Sequence, residues 1–221
     1  CDLPRRELHE AFDVERPLGQ GGHGAVYLAR EKLAGGKPGS QRVVKFYSKA
    51  DARAPLDNIR DEFMLLKKLD HPVIARALDI FEDNANVYVV SEPCFGGDLT
   101  TLVARAGEHG VTPTVAWVGG VFKQLLEGVS YLHAEMVMHC DLKESNIMVA
   151  HDSGWSSPRV VIIDFDLARD FGGTNEGGTP GYVPPEVWET MLWTPKGDIF
   201  CLAVVFWAVF NGRGGGALFG A

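Results

Sequence analysis

The sequence predicts an α+β chain in two parts, a strand-rich first third followed by a mainly helical remainder. Three observations predict it. Residues 25–29, 42–47 and 87–90 are short runs rich in β-branched and aromatic side chains, the composition of strands. Between the last two runs, Ile59, Phe63 and Leu66 recur at i, i+4 and i+7, which predicts a helix over about 57–69 with one buried stripe. Beyond residue 98 the pattern turns helical, and Val118, Phe122, Leu125, Val129 and Leu132 hold that spacing for more than three turns.

Each element has its own boundary signals. For the long helix, Thr112 is the expected N-cap and Pro113 the first-turn residue. Strand-like pieces return at 147–149 and 160–163. The patch Gly35-Gly36-Lys37-Pro38-Gly39-Ser40 reads as a loop between strands, and residues 211–216 as a turn or linker. The expected domains are therefore 1–94 and 95–221, joined by a linker near residues 92–98.

Composition narrows the class. With 221 residues and 46% hydrophobic content, the chain suits one domain or a small two-part unit with a substantial core. A formal charge of -8 argues against a nucleic-acid partner, which a basic face usually attracts, and is compatible with basic protein substrates. None of the four cysteines forms a C-x-x-C pair, so neither a zinc ribbon nor a disulfide framework is expected. This fits a reduced cytoplasmic or nuclear setting. The longest apolar run, 199–210, falls short of the roughly 20 residues that cross a bilayer, so it reads as a core helix and no membrane partner is expected. The start at Cys1 rather than Met reads as a fragment or a processed product.

The chemistry lies in a few short motifs. Gly19-Gln20-Gly21-Gly22-His23-Gly24-Ala25-Val26 matches G-x-G-x-x-G-x-V, whose glycines let backbone N–H groups approach phosphates. Alone it also fits a flexible hairpin or a dinucleotide-binding turn; the strand-like run after Gly24 disfavours the turn, which leads into a helix. Lys45 lies on the second strand run, where a cation can hold phosphates, and Glu62 lies beside the apolar stripe of the first helix, where a carboxylate calls for a partner. Each of these two, taken singly, is equally a solvated surface charge. His139-Cys140-Asp141-Leu142-Lys143-Glu144-Ser145-Asn146 is more specific. It sets a base (Asp141), a charge neutraliser (Lys143) and a cation-binding amide (Asn146) between a helix and an apolar strand. Asp164-Phe165-Asp166 follows the run 160–163 and offers Asp164 to a metal, although aspartates also commonly end strands. Gly178-Thr179-Pro180-Gly181-Tyr182-Val183-Pro184-Pro185-Glu186 and Gly197-Asp198 come next.

In this order and spacing the motifs resemble the eukaryotic protein kinase catalytic domain of the serine/threonine type, from about residue 12 to residue 211. The resemblance implies a two-lobed fold, with an antiparallel β-sheet lobe carrying one helix and a mainly helical lobe. It implies ATP and Mg²⁺ as cofactors and transfer of the γ-phosphoryl group to serine or threonine hydroxyls of a protein substrate. Gly19, Gln20, Gly21, Gly22, Gly24 and Val26 would cover the nucleotide, with Val43 above the adenine and Met148 below it. Lys45 would hold the phosphates and pair with Glu62. The Glu92 carbonyl and Cys94 amide would meet the adenine edge, and Asp98 the ribose. Asp141 would be the catalytic base and Lys143 its neighbouring cation; Asn146 and Asp164 would hold Mg²⁺. His139, Phe165, Leu66, Ala77 and Asp198 match the packed column of active kinases. Lys143 and Thr179 resemble the serine/threonine subclass, and there is a faint likeness to the calcium/calmodulin-dependent group. The alternative is a pseudokinase, a nucleotide-binding scaffold or switch without turnover.

The chain departs from that pattern at several places. Cys140 stands where many kinases have an arginine that grips an activation-loop phosphate, so activity independent of phosphorylation at Thr174 is expected. Asp166 replaces a glycine, whose backbone freedom an aspartate lacks. Ser145 weakens the expectation of a preference for basic substrate sequences, and the small Ser91 implies room behind the adenine. The chain stops soon after 199–210, where the family has further helices. It is therefore expected to lack the last helices of the helical lobe and to leave apolar surface partly exposed.

Overall fold

The computed structural model describes residues 3–21, 24–33, 35, 37–50, 55–171 and 177–211. These residues fall into two compact units, one within Cys1–Asp70 with Ala75–Pro93 and one within His71–Ile74 with Cys94–Ala221. Gly22 and Thr174, both singled out in the sequence, lie outside the described residues.

In the first unit a short helix α1 (Leu8–Ala11) leads into strands β1 (Phe12–Gly21), β2 (Gly24–Lys32) and β3 (Pro38–Ser48). Gly24 makes the close approach of β2 and β3 possible. A Cβ there would lie 2.1 Å from the Phe46 carbonyl oxygen, so any other residue would force the strands apart. Helix α2 (Leu56–Lys68) buries Ile59, Phe63 and Leu66, the stripe expected from their spacing, and ends on Lys67 and Lys68, which suit the negative end of the helix dipole. Strands β4 (Ala77–Glu82) and β5 (Asn86–Ser91) complete an antiparallel sheet in the order β1-β2-β3-β5-β4. Its core is Phe12, Ala29, Val44, Phe81, Tyr88 and Val90, packed by Leu8, Ala11, Phe46 and Leu78.

The second unit contains α3 (Leu102–Glu108), α4 (Val115–Ala134), β6 (Val137–Met138), a 3-10 turn at Glu144–Asn146, β7 (Ile147–Val149), β8 (Val160–Ile162), β9 (Arg169–Asp170), α5 (Pro185–Thr190) and α6 (Pro195–Phe210). Its strands pair as two antiparallel ribbons, β6 with β9 and β7 with β8. Helix α4 buries Val118, Phe122, Leu125, Val129 and Leu132 as its periodicity predicts. Its start corrects the sequence reading. The N-cap is Thr114 rather than Thr112, with the Thr114 hydroxyl accepting the Trp117 amide at 3.2 Å. Thr114 is extended and lies three residues before that amide, the spacing a cap needs, whereas Thr112 is a further two residues away. Gln124 fastens α4 to the β8 ribbon, donating to the Pro158 carbonyl at 2.9 Å and accepting the Val160 amide at 3.2 Å.

Helix α6 begins at Pro195, earlier than the apolar run alone marks, and is not buried throughout. Cys201, Leu202, Val204, Val205, Ala208 and Val209 face the core, while Ile199, Phe206 and Phe210 are exposed. Partial exposure of this helix was expected from the sequence; a wholly buried core helix was not the outcome. No helix among the described residues is long and apolar enough to cross a membrane.

Candidate active site

The segment from His139 to Asn146 is held in shape by one buried carboxylate. Asp198, in the first turn of α6 and fully buried, accepts the amides of His139 at 3.0 Å and Cys140 at 2.9 Å and meets His133 Nε2 at 2.9 Å. Cys140 is left-handed, with φ 63°, a conformation unfavourable for a residue with a Cβ, and the Asp198 hydrogen bond at its amide helps maintain it. The Asp141 amide lies 3.3 Å from His139 Nδ1, which makes Nδ1 an acceptor. The proton of the neutral ring then sits on Nε2 and is donated to the Ile163 carbonyl at 3.1 Å. His139 thereby ties the turn to the residue just beyond β8, and its ring packs on Phe165 at 4.8 Å between centroids.

Asp141, Lys143 and Asn146 are brought together. Lys143 Nζ donates to Asp141 Oδ2 at 2.7 Å, and Asn146 Nδ2 donates to the same oxygen at 3.1 Å and to the Asp141 carbonyl at 2.9 Å. The second carboxylate oxygen is taken by Thr179, whose amide reaches Asp141 Oδ1 at 3.0 Å and whose hydroxyl reaches it at 2.7 Å. Lys143 Nζ also donates to the Thr179 hydroxyl at 2.7 Å. The result is a closed ring of base, cation and hydroxyl. From the sequence, Thr179 was read only as a subclass marker. Its place on Asp141 was missed because 38 residues separate the two and no local pattern connects them.

The donor set suits a hard divalent cation. Asn146 spends its amide nitrogen on Asp141, so the atom it can offer a metal is its oxygen. Asp164 and Asp166 each present a carboxylate oxygen, within 4.8 Å of one another. An all-oxygen set of this kind fits Mg²⁺, Ca²⁺ or Mn²⁺ rather than a thiophilic metal. Asp164 follows β8, where the Ile163 amide donates to the Asn146 carbonyl at 2.9 Å. The left-handed residue of this turn is Asp164, with φ 64°, and not Asp166. Replacement of the expected glycine by Asp166 therefore carries no left-handed strain.

In the first unit, Lys45 lies on β3, in register with Val26 on β2 and Val89 on β5, with Val43 opposite Leu28 and Ser91. Lys45 Nζ sits 4.9 Å above the Tyr47 ring, and the Tyr47 hydroxyl donates to Glu62 Oε2 at 3.3 Å. Tyr47 thus engages both charged residues, a role that its sequence position in an ordinary strand gave no reason to assign. The glycine segment forms the tip of the β1–β2 hairpin, with Gly19 opposite Val26, Gln20 opposite Ala25 and Gly21 opposite Gly24.

The linker residues are placed by backbone contacts. Glu92 is exposed and Cys94 half-buried with a free thiol. The amides of Phe95 and Gly96 donate to the carbonyls of Ala150 and Val149 at 3.2 and 2.9 Å. Asp98 bridges to Met148, and its side chain accepts the Thr100 amide at 3.0 Å, closing a turn before α3.

The sequence is similar to known proteins throughout. A family model described as protein kinase domain matches residues 12–214. Calcium-dependent protein kinase 3 of Plasmodium yoelii yoelii is 32% identical over 203 residues, which is 90% of this chain and 36% of that protein. Smooth-muscle myosin light chain kinase of Gallus gallus is 32% identical over 200 residues, 86% of this chain and 10% of that protein. Death-associated protein kinase 2 of Mus musculus is 28% identical over 213 residues, 94% of this chain and 56% of that protein. The chain thus spans well under two thirds of each relative's own length. With its five-stranded antiparallel sheet, its helical second unit and the ring of contacts around Asp141, this chain belongs to the protein kinase domain family.

Proposed function

We propose that the chain is the catalytic domain of a serine/threonine protein kinase that transfers the γ-phosphoryl group of ATP to a protein hydroxyl. The observation that carries the reading is the Asp141 environment, in which Lys143, Asn146 and Thr179 all converge on one carboxylate. In this reading Asp141 takes the proton of the incoming hydroxyl as the oxygen attacks. Lys143 faces the charge that develops on the moving phosphoryl group. Asn146 and Asp164 hold Mg²⁺, which when bound would neutralise and bridge the phosphate oxygens.

Unit by unit, residues 1–94 act as the nucleotide-holding part and residues 95–221 as the catalytic part. Lys45 binds phosphate, and Glu62 orients it with the help of Tyr47. Gly19, Gln20, Gly21, Gly22, Gly24 and Val26 cover the nucleotide, while Val43, Met148, Glu92, Cys94 and Asp98 receive the base and ribose. Retention of every charged member of the set supports turnover over nucleotide binding alone. Cys140 is buried and has no guanidinium to offer a phosphate, which supports activity independent of Thr174 phosphorylation. The free thiols of Cys94, Cys140 and Cys201 support a reducing, cytoplasmic or nuclear, location.

The test is phosphate transfer from labelled ATP to a mixed panel of serine- and threonine-containing peptides, with and without Mg²⁺, beside Asp141→Asn. Metal-dependent incorporation that drops by about a hundredfold or more in the variant is the expected result. Incorporation equal in parent and variant, or absent from the parent with ATP still bound, would overturn it.

A further inference from the structure

One feature of the catalytic segment is not used by phosphoryl transfer as described. Glu144 follows Lys143 directly and is only 1% exposed. Its Oε2 accepts the Tyr182 hydroxyl, and its Oε1 has no hydrogen-bond partner among the described residues. Burying a half-satisfied carboxylate is unfavourable, and an apolar residue of similar size would be the more stable choice unless the contact has a task.

Tyr182 shows what that task is. It is 7% exposed, its amide donates to the Thr179 carbonyl at 3.0 Å, and its carbonyl accepts the Cys201 thiol of α6 at 3.1 Å. Glu144 is equally anchored, since its own carbonyl accepts the Leu99 amide at 3.2 Å and it begins the 3-10 turn that ends on Asn146. The Glu144–Tyr182 hydrogen bond therefore joins two rigid pieces. One carries Asp141, Lys143 and Asn146; the other carries Thr179. Burial, and then the hydrogen bond to Glu144 and its charge, push the Tyr182 hydroxyl well above its ordinary range, so it stays a donor at working pH.

We propose that Glu144 is a positioning residue: acting through the Tyr182 hydroxyl, it holds the Thr179 segment on Asp141 and so sets the rate of phosphate transfer without touching nucleotide. This rests on the reading of Asp141 as the proton acceptor. Because only one carboxylate oxygen is used, glutamine supplies the same acceptor, and charge itself is dispensable. Glu144→Gln is then the conservative variant, Glu144→Leu removes the acceptor, and Tyr182→Phe removes the donor while keeping the ring.

The experiment measures kcat and KM for ATP, together with hydrogen exchange at the Thr179 amide, in the chain and the three variants. Tyr182→Phe and Glu144→Leu are expected to lower kcat by about tenfold with KM for ATP unchanged, and to speed Thr179 exchange by a similar factor. Glu144→Gln is expected to stay within about threefold of the parent in both, and the Glu144→Leu/Tyr182→Phe double variant to be no worse than either single one. Unchanged kcat in Tyr182→Phe, a loss of kcat with unchanged Thr179 exchange, or a Glu144→Gln as impaired as Glu144→Leu would each overturn the proposal. If the parent transfers no phosphate, the kinase reading fails by itself; the exchange data then decide alone, faster exchange in Tyr182→Phe upholding the lock and parental exchange ending it.

Discussion

At the scale of single residues, the site depends on how many donors one carboxylate collects. Asp141 receives Lys143 and Asn146 on one oxygen and two groups of Thr179 on the other. Thr179→Val keeps the shape but removes the hydroxyl that links Lys143 to Asp141. The amide contact survives, so the expected outcome is a partial loss: kcat falls by about ten- to a hundredfold while KM for ATP stays within twofold. Steady-state kinetics at fixed peptide would read it, and a change confined to KM would contradict the assigned place of Thr179. Legibility from sequence differed sharply among these residues. Asp141, Lys143 and Asn146 lie within six positions of one another and could be named together. Thr179 and Tyr47 could not be assigned their contacts, because hydroxyl partners are chosen in space and neither residue sits in a pattern that a spacing rule detects.

At the scale of elements, the β4–β5 hairpin is closed by one aspartate. Asp83 Oδ1 accepts the amides of Ala85 at 2.8 Å and Asn86 at 2.7 Å, and Oδ2 accepts the Tyr88 hydroxyl at 2.5 Å. Burial works to raise the Asp83 carboxyl, but the hydrogen bonds from Tyr88, Asn86 and Ala85, with the charge of Lys49, outweigh it and hold the group below its ordinary value of 3.8. A depressed folded-state value stabilises the fold above the ordinary carboxylate value, and this contribution is lost as pH falls through the folded one. Tyr88 behaves in the opposite sense. Burial first, then the bond to Asp83, push it from 10.0 up to about 12, so its contribution is complete below pH 10 and lost as pH rises through about 12. Asp83→Asn is expected to cost about 1–2 kcal/mol at neutral pH and to flatten the acid limb of a plot of melting temperature against pH. An acid limb identical to that of the parent would show that this turn is not a source of the pH dependence. The hairpin itself was only half visible in the sequence. The run 87–90 marks β5, whereas the β4 sequence ALDIFE carries two acidic residues and no clean alternation. Its glutamate is instead buried against Lys49 at 2.9 Å and Arg5 at 3.8 Å.

At the scale of the whole molecule, the exposed face of α6 has the clearest consequence. Ile199, Phe206 and Phe210 are 46%, 39% and 52% exposed, and they lie at i, i+7 and i+11 on one side of the helix. Phe206 packs edge-on against Phe122 of α4 at 4.7 Å and stacks with Phe210 at 5.9 Å, so the side chains form a continuous apolar patch. The chain is expected to self-associate as its concentration rises. Ile199→Gln/Phe210→Gln should remain monomeric with an unchanged melting temperature, since both substituted side chains face solvent. Sedimentation across a concentration series measures this, and a parent that stays monomeric throughout would refute it.

Local chemistry in the sequence was enough to determine the family, the antiparallel sheet with its helix, the long amphipathic α4 and the charged residues proposed for catalysis. Those features depend on periodicity and on side chains close together in the chain, which a linear reading preserves. Only the tertiary structure decided that Thr179 completes the Asp141 ring, that Tyr47 engages Lys45 and Glu62, and that the left-handed turn falls at Asp164 rather than Asp166. The reason is physical: a hydrogen bond or a backbone angle is selected by whatever groups packing brings within about 3 Å, and that choice depends on distances between segments that no local pattern records.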